Sequence, residues 1–196
     1  MPYRQRAARQ WRRHLITYAD VCRANRAVTR ELDKLGLWHR RLDAITVYWV
    51  PASLGCYGWH QDDIYIPAVS GIQLLDLIRG DFTSLADVLR HEWAHAVADK
   101  WPHLINTKRF AQTFGGDYGS IESPRPYCPA HHVTRYAATM PGEDFAEVFH
   151  FYLRHRGRLP RRMAKKPHLV AKWWFIKWLA SRISGRNPLP QRARIS

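Results

Sequence analysis

Cysteine is scarce in this chain, and acidic residues run out well before its end. Three cysteines, Cys22, Cys56 and Cys128, stand among 196 residues. An odd number at wide spacing excludes a disulfide scaffold and points to a reducing compartment or to buried thiols. The Trp-rich stretch LVAKWWFIKWLA is interrupted by Lys172 and Lys177, and it falls far short of the roughly 20 apolar residues a membrane-spanning helix needs. The basic start MPYRQRAARQW has no apolar segment behind it. No classical signal peptide is therefore expected, and the expected location is cytoplasmic, or outside by a route lacking such a signal.

What is present fits a folded domain: 46% of the residues are hydrophobic and 24% charged, ordinary proportions for a globular chain. One domain of this length buries a core without staples. The formal charge of +15 is unevenly spread. Residues 1–43 carry 11 Lys/Arg against 4 Asp/Glu, residues 44–147 carry 7 against 12, and residues 148–196 carry 13 against none. A mildly acidic middle between basic ends separates the chemistry from the basic surface.

Apolar spacing at Trp11, Leu15, Tyr18, Cys22, Val28, Leu32 and Leu35, stopped by Gly36, predicts an amphipathic helix over 8–36. The runs ITVYWV, YGWH and DDIYIPAV read as strands of a small sheet, while GIQLLDLIRG fits either a strand or a helical turn. Ser84 and Asp87 form a capping box ahead of LADVLRHEWAHAVADK, which predicts a helix over 85–100. A short helix in NTKRFAQTF stops at Gly115–Gly116, and residues 117–142 read as a long irregular loop. EDFAEVFHFYLRH resumes helical spacing with Phe145, Val148, Phe149 and Tyr152 on one face. A last helix is expected over 168–182, packed on its own domain or lying on a membrane surface. The fold class is α+β: a single domain over 1–184, with its core in 45–182 and a basic, disordered tail at 185–196.

The chemistry centres on His91-Glu92-Trp93-Ala94-His95. Residues four apart share a helical face, so both imidazoles can meet one Zn²⁺ while Glu92 holds and deprotonates a water. A random chain of this composition would contain H-E-x-x-H about 0.015 times. A catalytic zinc keeps three protein ligands and an open position. The metzincin spacing is excluded, because Ala98 and Trp101 occupy the positions it needs for Gly and His. Glu143 in Glu143-Asp144-Phe145-Ala146-Glu147 is the best third ligand, and Glu147, one turn on, can orient a ligand imidazole. Two solvated glutamates at a helix start would look the same. Asp117 in Gly115-Gly116-Asp117-Tyr118-Gly119 is a rival third ligand. Asp99, one turn beyond His95, either accepts a hydrogen bond behind the ligands or simply closes the helix.

HEWAHAVAD, KRFAQTF, and Tyr136 lying seven residues before the E-x-F-A-E of 143–147 together resemble the gluzincin metallopeptidases, within them the anthrax lethal factor type of catalytic domain and related small bacterial zinc peptidases. The resemblance covers roughly residues 64–182. It implies a zincin-like domain with a small mixed sheet, an active-site helix, a glutamate-bearing helix and a C-terminal helix. It further implies one Zn²⁺ per chain on His91, His95 and Glu143, and a Tyr136 that donates to the oxyanion. The activity implied is zinc endopeptidase action on peptides or proteins, with DDIYIPAV as the edge strand that pairs with an extended substrate. The chain departs from the pattern in the loop IESPRPYCPAHH, whose Cys128, His131 and His132 could make a second metal site or cap the zinc.

A second class of function competes. The basic residues after Glu147, interleaved with Trp173, Trp174 and Trp178, suit phosphates and base stacking, so a nucleic-acid-binding module remains open. So does a combination of both, as in SprT-like DNA–protein crosslink proteases. Attachment of the same region to an anionic membrane surface is a third possibility.

Overall fold

The computed structural model describes residues 13–78, 82–121 and 126–185. Helix α1 spans Tyr18–Lys34, and a capping box fixes its start. Thr17 Oγ1 accepts from the Asp20 N–H at 3.2 Å, and the Asp20 carboxylate accepts from the Thr17 N–H at 3.1 Å. The expected start at residue 8 is thereby corrected for the described part, while residues 8–12, with Trp11, lie outside it. Ahead of the cap the chain is extended: Ile16 N–H donates to Val69 O at 2.9 Å, and Leu15 pairs with Ser70. Leu15 and Tyr18 are exposed, and Ile16 takes the core position instead. Val21, Val28 and Leu32 form the buried face of α1.

Strands β1 (Val47–Val50), β2 (Gly58–His60) and β3 (Asp63–Pro67) make a mixed sheet in the order β1-β3-β2. β3 runs parallel to β1 and antiparallel to β2. The strand expected at the edge is therefore the central one, with both of its sides paired. Its Ile64 and Ile66 are fully buried, as a central strand demands, whereas Tyr48 and Trp49 of β1 are exposed. β2 and β3 are joined by Gln61 and Asp62, both at positive φ, which matches the twist of a tight two-residue hairpin. Asp62 takes an ion pair from Lys100.

The ambiguous segment after β3 is helix α2 (Gly71–Ile78). Ser70 caps it: Ser70 Oγ accepts from the Gln73 N–H, and the Gln73 side chain accepts from the Ser70 N–H at 3.0 Å. Helix α3 spans Leu85–Lys100 as expected, with Ser84 accepting from the Asp87 N–H. Then follow α4 (Pro102–Ile105), α5 (Lys108–Phe114), α6 (Pro141–Arg154), α7 (Arg161–Ala164) and α8 (Pro167–Ile183). Gly115 closes α5 at φ +84°, a left-handed position that favours glycine. The inner face of α8 is buried through Trp173, Phe175, Ile176, Leu179 and Ile183. Most of the Trp-rich run thus serves the core of its own domain. Among the described residues no helix is long and apolar enough to cross a membrane. The tail beyond residue 185 lies outside the described residues.

α3 lies at the centre, packed against α1, α6 and β2, and 11 of its 16 residues are buried. Enclosure on this scale leaves its polar side chains needing protein partners. Arg90 makes a two-pronged contact with Glu31 of α1 at 2.7 and 2.8 Å. Asp87 accepts from the Thr83 hydroxyl at 2.6 Å and from Arg90 at 2.7 Å, and pairs with His150 of α6 at 3.1 Å. Burial alone would raise the Asp87 pKa. The bonds from His150 and Thr83, with the Arg154 charge, instead hold it well below the usual carboxylate range.

A carboxyl depressed in the folded state lends stability above its unfolded pKa and loses it as the pH falls through the lower folded value. Asp87→Ala should therefore cost about 3–5 kcal/mol near neutral pH, the scale of breaking a buried charged network. It should also flatten the loss of stability below about pH 4. Denaturant titrations from pH 2 to 7 would measure both, and an unchanged acid limb would contradict the assignment.

Candidate metal centre

The two histidines of α3 meet the first turn of α6. His91 Nε2 and His95 Nε2 lie 3.1 Å apart, and Glu143 Oε2 stands 3.1 Å from the first and 3.6 Å from the second. Among the described residues this is the group of His, Cys, Asp and Glu side chains that converges closely enough to hold a metal ion. Bond lengths of 2.0–2.1 Å to a tetrahedral ion would separate ligand atoms by about 3.3 Å, close to what is seen here.

The far side of each ring sets which nitrogen is free. His91 Nδ1 lies 2.9 Å from Glu147 Oε1, a carboxylate buried to 1% exposure that can only accept when ionised. His95 Nδ1 lies 2.7 Å from the Tyr118 hydroxyl. Glu147 fixes Nδ1–H on His91 and so leaves its Nε2 towards Glu143 Oε2, and His95 Nε2 faces the same oxygen with its Nδ1 engaged by Tyr118. That oxygen is itself buried without a hydrogen-bond donor. Three lone pairs pointing at one another are unfavourable, and either a proton on an imidazole or a metal cation among them relieves this. Two imidazoles and a carboxylate brought together in this way form a donor set that could hold a metal ion.

Electrostatics point the same way. Burial opposes a positive charge on His91, yet contacts with Glu143 and Glu147 outweigh it and push its pKa up to about 10. Burial likewise opposes an ionised Glu143, but His91 and His95 hold it well below the usual carboxylate range. The site draws positive charge into a buried place.

Above the donors opens a cleft of about 470 Å³, lined by Glu92, Tyr136, Gly58 and Trp59 along with the three donors. Glu92 is not among the donors. Its Oε2 accepts from the Trp59 N–H of β2 at 2.7 Å. Tyr136 sits in a tight turn, Tyr136–Ala138, with its ring centroid 5.8 Å from that of His91. Burial, then the Glu143 charge, raises its pKa, so the hydroxyl stays a donor.

Comparison with known proteins yields nothing to set beside this geometry: no family model, curated protein or solved structure matches the chain. The arrangement has to be read from its own residues.

His91, His95, Glu143, Glu92 and Tyr136 lie together on the cleft, with Glu147 behind His91. Asp117 does not, being exposed and apart from the donors. Asp99 is exposed at the end of α3, beside Asp62. The place behind His95 that a carboxylate would take, at Nδ1, belongs to Tyr118. Cys128, His131 and His132 stay in the loop. The Cys128 N–H donates to His132 Nδ1, and the His131 ring stacks on His168 at 3.8 Å.

Tyr118 is the residue that sequence reading misses. It follows Asp117 in a glycine-rich turn, where the carboxylate draws attention, yet what places it is aromatic packing. Its ring meets Phe110 of α5 at 5.7 Å and Phe145 of α6 at 6.0 Å, both edge-on. Gly58 is the other omission. At φ +78° it brings β2 so near that an added Cβ would lie 2.8 Å from Glu92 Oε2. Gly55 has almost the same backbone, φ +72°, but open space around it.

The pair gives a controlled test. Gly55→Ala should cost about 1 kcal/mol for the left-handed backbone alone. Gly58→Ala should cost about 1 kcal/mol more, the scale of disturbing the buried Glu92–Trp59 hydrogen bond. In a Glu92→Ala background that extra cost should vanish. Equal costs for the two glycines in urea titrations would show that β2 does not clamp Glu92.

Proposed function

We propose that this protein is a zinc-dependent peptidase with a zincin-like fold. The observation that carries the reading is the convergence of His91 Nε2, His95 Nε2 and Glu143 Oε2 within 3.1–3.6 Å, with Glu92 beside them on the same cleft. The resemblance of HEWAHAVAD and the Tyr136…Glu143 spacing to gluzincins supports the same reading. His91, His95 and Glu143 would hold the ion, and a zinc bound there supplies Lewis acidity, lowering the pKa of water towards about 7 and polarising a carbonyl.

The remaining work falls to side chains. Glu92 is anchored by Oε2 to Trp59, which leaves Oε1 to take a proton from the attacking water and hand it to the departing amine. Tyr136, kept protonated by burial, donates to the carbonyl oxygen as negative charge develops on it. Glu147 fixes the tautomer of His91, and Tyr118 holds the His95 ring through Nδ1. An extended substrate would meet β2, whose Gly58 and Trp59 line the cleft, and not β3, which is paired on both sides.

Cleavage of a mixed peptide library, followed by mass spectrometry with zinc added and with a chelator control, tests the reading. Glu92→Gln should keep its zinc and its fold while hydrolysis falls by roughly 10²–10⁴-fold. Tyr136→Phe should lose on the order of 10²-fold, the scale of one oxyanion donor. Wild-type protein that cuts nothing with zinc present, or a Glu92→Gln variant that cuts equally well, would overturn the peptidase reading.

A further inference from the structure

The basic residues form a surface whose position the sequence does not show. On α1, Arg23, Arg26, Arg30 and Lys34 follow a three–four–four spacing, which places them on one face, and all four are exposed. The row covers about 16 Å at 1.5 Å per residue. Arg23 is held by Asp20 at 2.6 Å, whereas Arg26, Arg30 and Lys34 have no acidic partner among the described residues. Where α1 ends it meets the segment after α6: Leu35 packs on Gly157. A groove of about 450 Å³ opens there, with Arg30 and Lys34 on one wall and Arg156 on the other. The one acid in the groove, Glu31, is already neutralised by Arg90. Exposed Arg158, Arg161 and Arg162 extend the same charge beyond Arg156.

Helix-end electrostatics accounts for Lys34 and Arg154, which sit in the last turns of α1 and α6. It does not account for Arg26 or Arg30, which lie further inside α1. An amphipathic helix lying in a bilayer surface inserts apolar side chains between its cations. None of the exposed large hydrophobic residues lies within 23–34 or 154–166. Cations without an acidic partner among the described residues and without apolar anchors suit a phosphate chain, and the about 12 Å from Arg26 to Lys34 matches about three to four nucleotides at 3.4 Å each.

We infer that the face formed by α1 and the segment after α6 is a docking surface for the phosphate backbone of nucleic acid. It is remote from the metal centre. Arg154, the last residue of α6, lies eleven residues beyond Glu143, about 16 Å along the helix, and Arg156 follows it. The inference is independent of the peptidase reading.

The test uses the full chain and a labelled 20-base-pair DNA duplex of arbitrary sequence, read by fluorescence anisotropy from 50 to 200 mM salt. The triple variant Arg30→Ala/Lys34→Ala/Arg156→Ala removes the groove cations. A control triple, Arg40→Ala/Arg41→Ala/Lys108→Ala, removes the same charge from other exposed positions. The groove variant should bind at least about tenfold more weakly at 100 mM salt, with a salt slope shallower by roughly 0.9 for each phosphate that is no longer neutralised. The control should stay within about threefold of wild type. Circular dichroism checks both folds, and Lys34→Glu alone serves if the triple variant does not fold. Equal weakening in the two triples would mean net charge alone, or the chain ends, carries the binding and would overturn the inference. So would wild-type protein that ignores the duplex at 50 mM salt, or that binds phosphatidylserine vesicles but not DNA.

Discussion

The structure turns on the enclosure of one polar helix. α3 carries Asp87, His91 and Glu92 in a setting that leaves them little water, with exposures of 2%, 2% and 4%. Each has to find a partner inside the protein, or the fold pays the desolvation of a charged or polar group. α6 supplies most of them, running antiparallel to α3 so that its turns match. Glu143 faces His91 and His95, Glu147 takes His91, and His150 and Arg154 reach Asp87. The interactions that hold the two helices in register are the same ones that orient the metal donors. Stability and chemistry therefore share one ladder of side chains, and a substitution low on it, at Asp87 or His150, should be felt in the geometry at Glu143.

Sequence reading succeeds where a local rule decides the outcome. Ser84 and Pro102 bracket α3, Gly115 ends α5, and the H-E-x-x-H spacing puts both histidines on one side of a helix. Glu143 and Glu147 are legible for the same reason, being one turn apart. Two further boundaries obey a local rule that apolar spacing obscures: Thr17-x-x-Asp20 and Ser70-x-x-Gln73 are capping boxes, and they set the starts of α1 and α2. Strand order is not legible. Nothing in DDIYIPAV states that β1 will pair with it in parallel and leave β2 beside Glu92. Tyr118 is hidden because its place depends on Phe110 and Phe145 from two helices, a tertiary cluster with no sequence spacing of its own.

The division of charge along the chain becomes a division in space. The acidic middle contributes the carboxylates of the candidate metal centre, while the basic ends contribute a face at the other end of α6. Keeping the two apart has a physical advantage, because cations beside Glu143 and Glu147 would compete with a metal for the same negative charge. The basic face also sits at the C-terminal ends of α1 and α6, where positive charge is favoured by the helix dipoles before any partner arrives.

One ion decides whether the buried donors serve chemistry. Crystals of the full chain grown with zinc, with data collected on both sides of the zinc absorption edge, would locate it directly. A single anomalous peak within about 2.0–2.2 Å of His91 Nε2, His95 Nε2 and a Glu143 oxygen is the predicted result. Absence of that peak, or a peak held by Asp117 or by the Cys128–His132 loop with Glu143 turned away, would contradict the central claim.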